Sequence, residues 1–125
     1  MQYMCLIYQP VDAPEMAPAE YQKLFEEYGA YTQAARESGK LVAGEPLQPI
    51  SDATTVRVRN GKRTVTDGPF AETKEWLSGF YLFDCDTLDE VLDWAAKIPA
   101  ARDGSIEVRP LMVIPGMRDG HPVAQ

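Results

Sequence analysis

A single histidine and two cysteines leave this 125-residue chain nearly without the residue types that build nucleophilic and metal sites. His121 stands between Gly120 and Pro122 near the C-terminus, in a stretch without hydrophobic periodicity, so no His-based triad, dyad or metal cluster can be assembled on ordered structure. Cys5 and Cys85 each lie inside an apolar, strand-like run with no CxxC or Cys/His ligand spacing, and buried thiols are expected rather than a disulfide or a zinc site. Long hydrophobic runs are missing too. The uncharged apolar stretch from Tyr3 to Tyr8 is too short for a signal-peptide core or a membrane span, and no basic residue precedes it. A cytoplasmic location without a membrane partner follows as an expectation. Bases are also in deficit: 12 Lys and Arg against 19 Asp and Glu leave a net charge of −7, which argues against a general affinity for nucleic acid.

What remains is the material of one folded domain, since domains cluster near ~100–150 residues. The chain is 45% hydrophobic and 25% charged, with a mean hydropathy of −0.30, the composition of a soluble globular protein. Residues 3–8 are apolar at both alternating sets of positions, the pattern of a central strand covered on both faces. Pro18 suits a first helical position, and Tyr21, Leu24, Phe25, Tyr28, Thr32 and Ala35 recur at helical spacing until Gly39 closes the helix. The segment LVAGEPLQPI predicts a short strand entering a Pro-rich turn. TTVRVRNGKRTVT predicts a hairpin, because Asn60-Gly61 suits the two positive-φ positions of a type I′ turn. Asp67-Gly68-Pro69 is a further turn, AETKEW can form a helical turn, and SGFYLFD reads as a strand buried on both faces. Thr87 and Glu90 form a capping box before a helix whose Leu88, Val91, Leu92 and Ala95 are expected on the core side, with Pro99 ending it. SIEVRPLMVI is the last strand, and residues 115–125 are expected to be a disordered tail.

The element order predicts an α+β, ferredoxin-like split βαβ plait: a mainly antiparallel sheet with two helices on one face. Strands apolar on both faces then leave the other face of the sheet greasy, and a second copy packed sheet to sheet is the simplest cover. Leu6, Phe80, Leu82 and Val108 are the candidates for that contact, within residues 1–114 taken as the domain.

Arg109 interrupts the apolar last strand, and a guanidinium there wants a carboxylate from its own chain or from a ligand. Asp67 either bonds turn amides or projects with Glu72 into a cleft, where desolvation could tune one carboxyl for general acid/base work. The segment holding Glu72, Lys74 and Glu75 reads either as a solvated turn with a weak ion pair or as part of that cleft. The candidate site therefore comprises Asp67 and Glu72 as catalytic carboxylates, with Arg109, Tyr8 and Lys74 as ligand contacts, and Arg109 is expected to converge with at least one of the two acids. Glu26, Glu27, Glu45 and Asp67 follow no metal-ligand spacing, and neither a metal nor another cofactor is expected. Arg57, Arg59, Lys62 and Arg63 concentrate positive charge on the hairpin, either as a solvated edge that resists aggregation or as a surface for an acidic protein.

The run DGPFAETKEWLSGFYLFDCDTLDEVLDWAAKIP, followed by GSIEVRPL and preceded by ESGKLVAGEPL, resembles the YCII-related family, in the branch named after its Asp-Gly-Pro-Phe motif. The resemblance extends from Met1 to about Ile114. It implies the dimeric α+β barrel fold. About activity it implies little: most members have no settled reaction, some are small-molecule enzymes, including a dehydrochlorinase of a chlorinated aromatic, and others are encoded beside extracytoplasmic-function sigma factors. The catalytic histidine proposed for the wider family belongs to the first helix, where this sequence has only acids such as Glu26 and Glu27. Two functions stay open. One is a homodimeric small-molecule enzyme of lyase or isomerase type working with carboxylates, and the other is a noncatalytic ligand-sensing or protein-interaction module, with a sigma factor as a candidate partner.

Overall fold

The strand apolar on both faces sets the architecture, because it must lie inside a sheet. In the computed structural model, which describes residues 1–118 and 121–122, β1 (Gln2–Pro10) is flanked by β5 (Glu75–Asp84) and β6 (Ser105–Pro110), both antiparallel to it. β2 (Leu41–Pro46) adds to the far side of β5, giving the order β2-β5-β1-β6. Helices α1 (Pro18–Glu37) and α2 (Leu88–Ala96) pack on one face of this sheet. This is the expected ferredoxin-like plait.

On the helix-covered face Tyr3, Cys5 and Ile7 of β1 and Tyr81 and Phe83 of β5 meet Tyr31 and Ala35 of α1 and Val91 and Ala95 of α2. Tyr31 stands edge-on to Tyr81 and Trp94, and its hydroxyl donates to the Trp94 carbonyl oxygen at 2.8 Å, which ties the two helices through one side chain. Phe83, fully buried, stacks on Trp94 at 5.6 Å. Cys5 and Cys85 are buried free thiols, as expected, and burial pushes them up to about 12 and about 11 respectively.

Several local expectations yield to tertiary context. Only the C-terminal half of α1 reaches the sheet, so Tyr21 and Phe25 stay exposed. On α2, Val91 and Ala95 are buried but Leu88 and Leu92 face solvent, because so short a helix presents a single narrow stripe to the sheet. AETKEW forms no helical turn: the Val11 amide donates to the Lys74 carbonyl and β5 pairs from Glu75 opposite Pro10, so the ladder takes the segment. The last strand stops at Pro110 rather than continuing to Ile114, since the Leu111 amide already bonds the Gln2 carbonyl and β1 has no further residue to offer. Met117–Arg118 (β7) and His121–Pro122 (β8) form a two-residue ladder; residues 119–120 and 123–125 of the expected tail lie outside the described residues.

Between β2 and β5 the chain makes a separate ribbon, β3 (Thr54–Arg59) paired with β4 (Lys62–Asp67). Asn60 and Gly61 have φ of 53° and 74°, the left-handed pair that the type I′ turn requires. The ribbon is not a strand pair of the main sheet.

Two outcomes test this packing. Thr87 caps α2 by accepting from the Glu90 amide, while the Glu90 carboxylate turns to Lys40, 3.4 Å away, instead of closing the capping box. The neighbouring Cys85 thiol and the Lys40 ammonium hold the Glu90 carboxyl below its usual value. A depressed folded pKa contributes stability that is complete above the unfolded value of about 4.3 and is lost as pH falls through the folded one. Glu90→Gln is therefore expected to flatten the acid limb of a stability profile measured by urea denaturation. A Cβ at Gly104 would collide with the Tyr8 carbonyl oxygen, so Gly104→Ala is expected to cost about 1–3 kcal/mol in the same assay.

Candidate functional site

Neither helix covers the other face of the sheet, where the apolar side chains are half-buried. Register places Met4, Leu6 and Tyr8 of β1 on it, beside Leu77, Phe80 and Leu82 of β5. A register shift between Ile7 and Tyr8, with Ser78 as the extra residue, keeps Leu77 opposite Tyr8 and therefore on the same face. One rung across the four strands reads Glu45, Phe80, Leu6, Glu107, and the next reads Ala43, Leu82, Met4, Arg109. The face is thus an apolar strip bordered by charge. Val108 pairs opposite Cys5 and packs against the helix-side core, so among the four candidates for a sheet-face contact it is intramolecular, whereas Leu6, Phe80 and Leu82 are on the open face.

Arg109 is exposed and rims a shallow depression of about 250 Å³ formed with Met4, Leu6, Pro110 and Leu111. Among the described residues no carboxylate lies within 4.0 Å of it. Tyr8 is half-buried two rungs away, opposite Ser105. Asp67 and Glu72 are exposed and do not line this depression. The expected convergence of Arg109 with an acid is therefore not made within one chain: Arg109 belongs to the main sheet, and the acids belong to the ribbon and the loop after it. Lys74 is exposed at the foot of β5, where its carbonyl is used by the ladder.

The turn that carries Asp67 is built tightly onto the ribbon. Gly68, at φ 103°, donates its amide to the Ala53 carbonyl at 2.7 Å, and its own carbonyl accepts from the Thr55 hydroxyl at 2.8 Å. The Arg57 guanidinium donates to the Phe70 carbonyl at 2.8 Å. These bonds run along the Thr55 and Arg57 side of the ribbon, so residues 67–70 move with it as one unit. On the opposite side Val56, Val58 and Val65 are 55–60% exposed, and the Phe70 ring is 72% exposed.

A second concavity escapes sequence reasoning. A groove of about 350 Å³ runs between the N-terminal half of α1, the end of β1 and the 3-10 turn Pro99–Arg102. Arg102 Nη2 donates to Glu27 Oε2 at 2.6 Å across it, and Nε donates to the Pro99 carbonyl. Tyr28 lines its floor, with burial raising the phenol above its usual value. Glu27 and Arg102 are 75 residues apart, and no motif links them; only the topology does. The engaged ion pair ties the 3-10 turn to the helix, and on a partly exposed surface such a pair is worth about 0–1 kcal/mol.

Among the described residues no group of three or more His, Cys, Asp or Glu side chains is placed to hold a metal ion, and no helix is long and apolar enough to cross a membrane. Comparison with known proteins follows from this geometry. An uncharacterized protein of Rhizobium meliloti is 46% identical over 94 residues, spanning 74% of this chain and 76% of that one. Among solved structures, 5-chloro-2-hydroxyhydroquinone dehydrochlorinase (TftG) of Burkholderia phenoliruptrix, in complex with 2,5-dihydroxybenzoquinone, aligns over 90% of this chain and 94% of its own, with a TM-score of 0.47 and 15% identity. The YCII-related domain profile matches residues 1–115, and the chain belongs to the YCII-related family.

Proposed function

We propose that the chain acts as a homodimer that binds a small polar or aromatic compound carrying an anionic group, in a cleft against the open sheet face. The observation that carries this reading is Arg109: a guanidinium at the rim of an apolar depression, with no carboxylate partner among the described residues. Arg109 suits a bidentate grip on a carboxylate, and Leu82 and Phe80, beside Met4 and Leu6 on the same face, offer an apolar floor for the body of the ligand. Tyr8 supplies a phenolic donor on the same face, and Lys74 a second cation beyond the end of the strip. Asp67 and Glu72 are the carboxylates available for proton transfer, given that α1 carries no histidine.

A homodimer supports the reading because water would otherwise meet the whole strip of Leu77, Phe80, Leu82, Met4, Leu6 and Tyr8. Light scattering is expected to return about twice the 13.9 kDa chain mass, and a 13.9 kDa particle would sink the proposal. Benzoate and hydroxybenzoates serve as probes: they are expected to raise the melting temperature of the wild-type protein, and Arg109→Met should weaken probe binding more than it lowers the melting temperature of the free protein.

The second reading is a noncatalytic sensing or protein-interaction module, with a sigma factor as the candidate partner. The basic ribbon, with Arg59, Lys62 and Arg63 exposed, favours it. Solvent-deuterium exchange at the ring carbons ortho and para to the hydroxyl of a bound hydroxybenzoate, which needs proton transfer through the keto tautomer, separates the two when followed by NMR: exchange that disappears in the Asp67→Asn, Glu72→Gln double variant supports chemistry, and binding without exchange in the wild type supports sensing.

A further inference from the structure

Within the Asp67-Gly68-Pro69-Phe70 turn, the Phe70 ring takes no part in the proposed site. Its hydrogen bonds to Ala53, Thr55 and Arg57 fix the backbone on one side of the ribbon, and the result is a phenyl ring held out into solvent at 72% exposure. Three backbone anchors are more than a chain reversal needs. Anchored aromatic side chains are what protein interfaces use as central contacts, because they bury a large area at little cost in conformational entropy.

The same chain offers a receptor for such a ring. The depression between Met4, Leu6, Pro110 and Leu111 has about 250 Å³, room for one phenyl ring, and Arg109 stands at its rim. A guanidinium beside an aromatic face is attractive in itself. Arg109 also has no carboxylate within 4.0 Å among the described residues, while Asp67 and Glu72 flank Phe70 at three and two residues' distance in sequence. Protruding ring, apolar recess, unpaired cation and unpaired acids are therefore complementary, and all belong to one sequence.

We propose that Phe70 of one protomer inserts into the Met4–Leu6–Leu111 depression of a second copy and so carries Asp67 and Glu72 to the partner's Arg109. The inference rests on the homodimer reading and deepens it: each site is composite, with the sheet face from one chain and the carboxylates from the other. A C2 pair makes two such insertions, because the contact is reciprocal. The exposed valines of the ribbon gain cover in the same arrangement. The ligand enters between Arg109 and the incoming acids, so its anionic group competes with Asp67 and Glu72 for the guanidinium, and a bound acid is matched by carboxylates freed to act on it.

The test uses cysteine pairs, since Cys5 and Cys85 are buried and do not compete. A Phe70→Cys chain is mixed with a size-tagged Leu111→Cys chain, oxidised and run on a non-reducing gel. The expected product is the mixed-size crosslinked dimer, and Phe70→Ala is expected to weaken dimerisation at least ~10-fold by sedimentation, with an unchanged circular dichroism spectrum. If the Phe70→Cys, Leu111→Cys double variant closes only within its own chain, the insertion is overturned. A protein that is dimeric yet gives no mixed crosslink overturns the insertion and leaves the homodimer standing. One that is monomeric before any substitution overturns both.

Discussion

The structure depends on an imbalance between its sheet and its helices. β1 and β5 are apolar on both faces, but two helices cover only one, and half the hydrophobic potential of the two central strands is therefore spent inside the chain while the other half stays available outside it. The covered half supplies stability. Phe83, Val91, Ile98 and Cys5 are fully enclosed there, and truncating a buried ring such as Phe83 in a core of this kind removes about 3–5 kcal/mol. The open half carries Arg109, Glu107 and Glu45 on its border.

The ribbon is the second consequence of that division. An isolated two-stranded hairpin is marginal in water, and here its own chain supports one side of it, through Thr55 and Arg57, and leaves the valine side bare. The ribbon is thus supported on one side only, as the main sheet is covered by helices on one face only. The exposed segment Met112–Ile114 adds to the same apolar surplus.

Elements were legible wherever the sequence carries a local period or a turn signature. The double alternation of residues 3–8 marked a central strand, Pro18 and Gly39 bracketed α1, and Asn60-Gly61 fixed the hairpin. Errors arose where a distant partner outweighed a local tendency: AETKEW became strand entry because Pro10 and Val11 were there to pair with it, and Leu88 and Leu92 turned outward because a nine-residue helix touches the sheet along one stripe. For the site, sequence identified Arg109 as a cation needing a partner but could not say that its strand position points it to the open face, which follows only from pairing with Met4. The Glu27–Arg102 pair left no trace in sequence, since neither residue interrupts a pattern.

Strand order also has a consequence for biosynthesis. β1 leaves the ribosome well before its two neighbours, β5 and β6, and neither can pair with it until residues from Glu75 onward emerge. At about 5–20 residues per second that interval is of order 3–15 seconds, during which a strand greasy on both faces has α1, β2 and the β3–β4 ribbon for company but no pairing partner. The strand at the centre of the sheet is thus the one that waits longest for its partners, and its register is settled last.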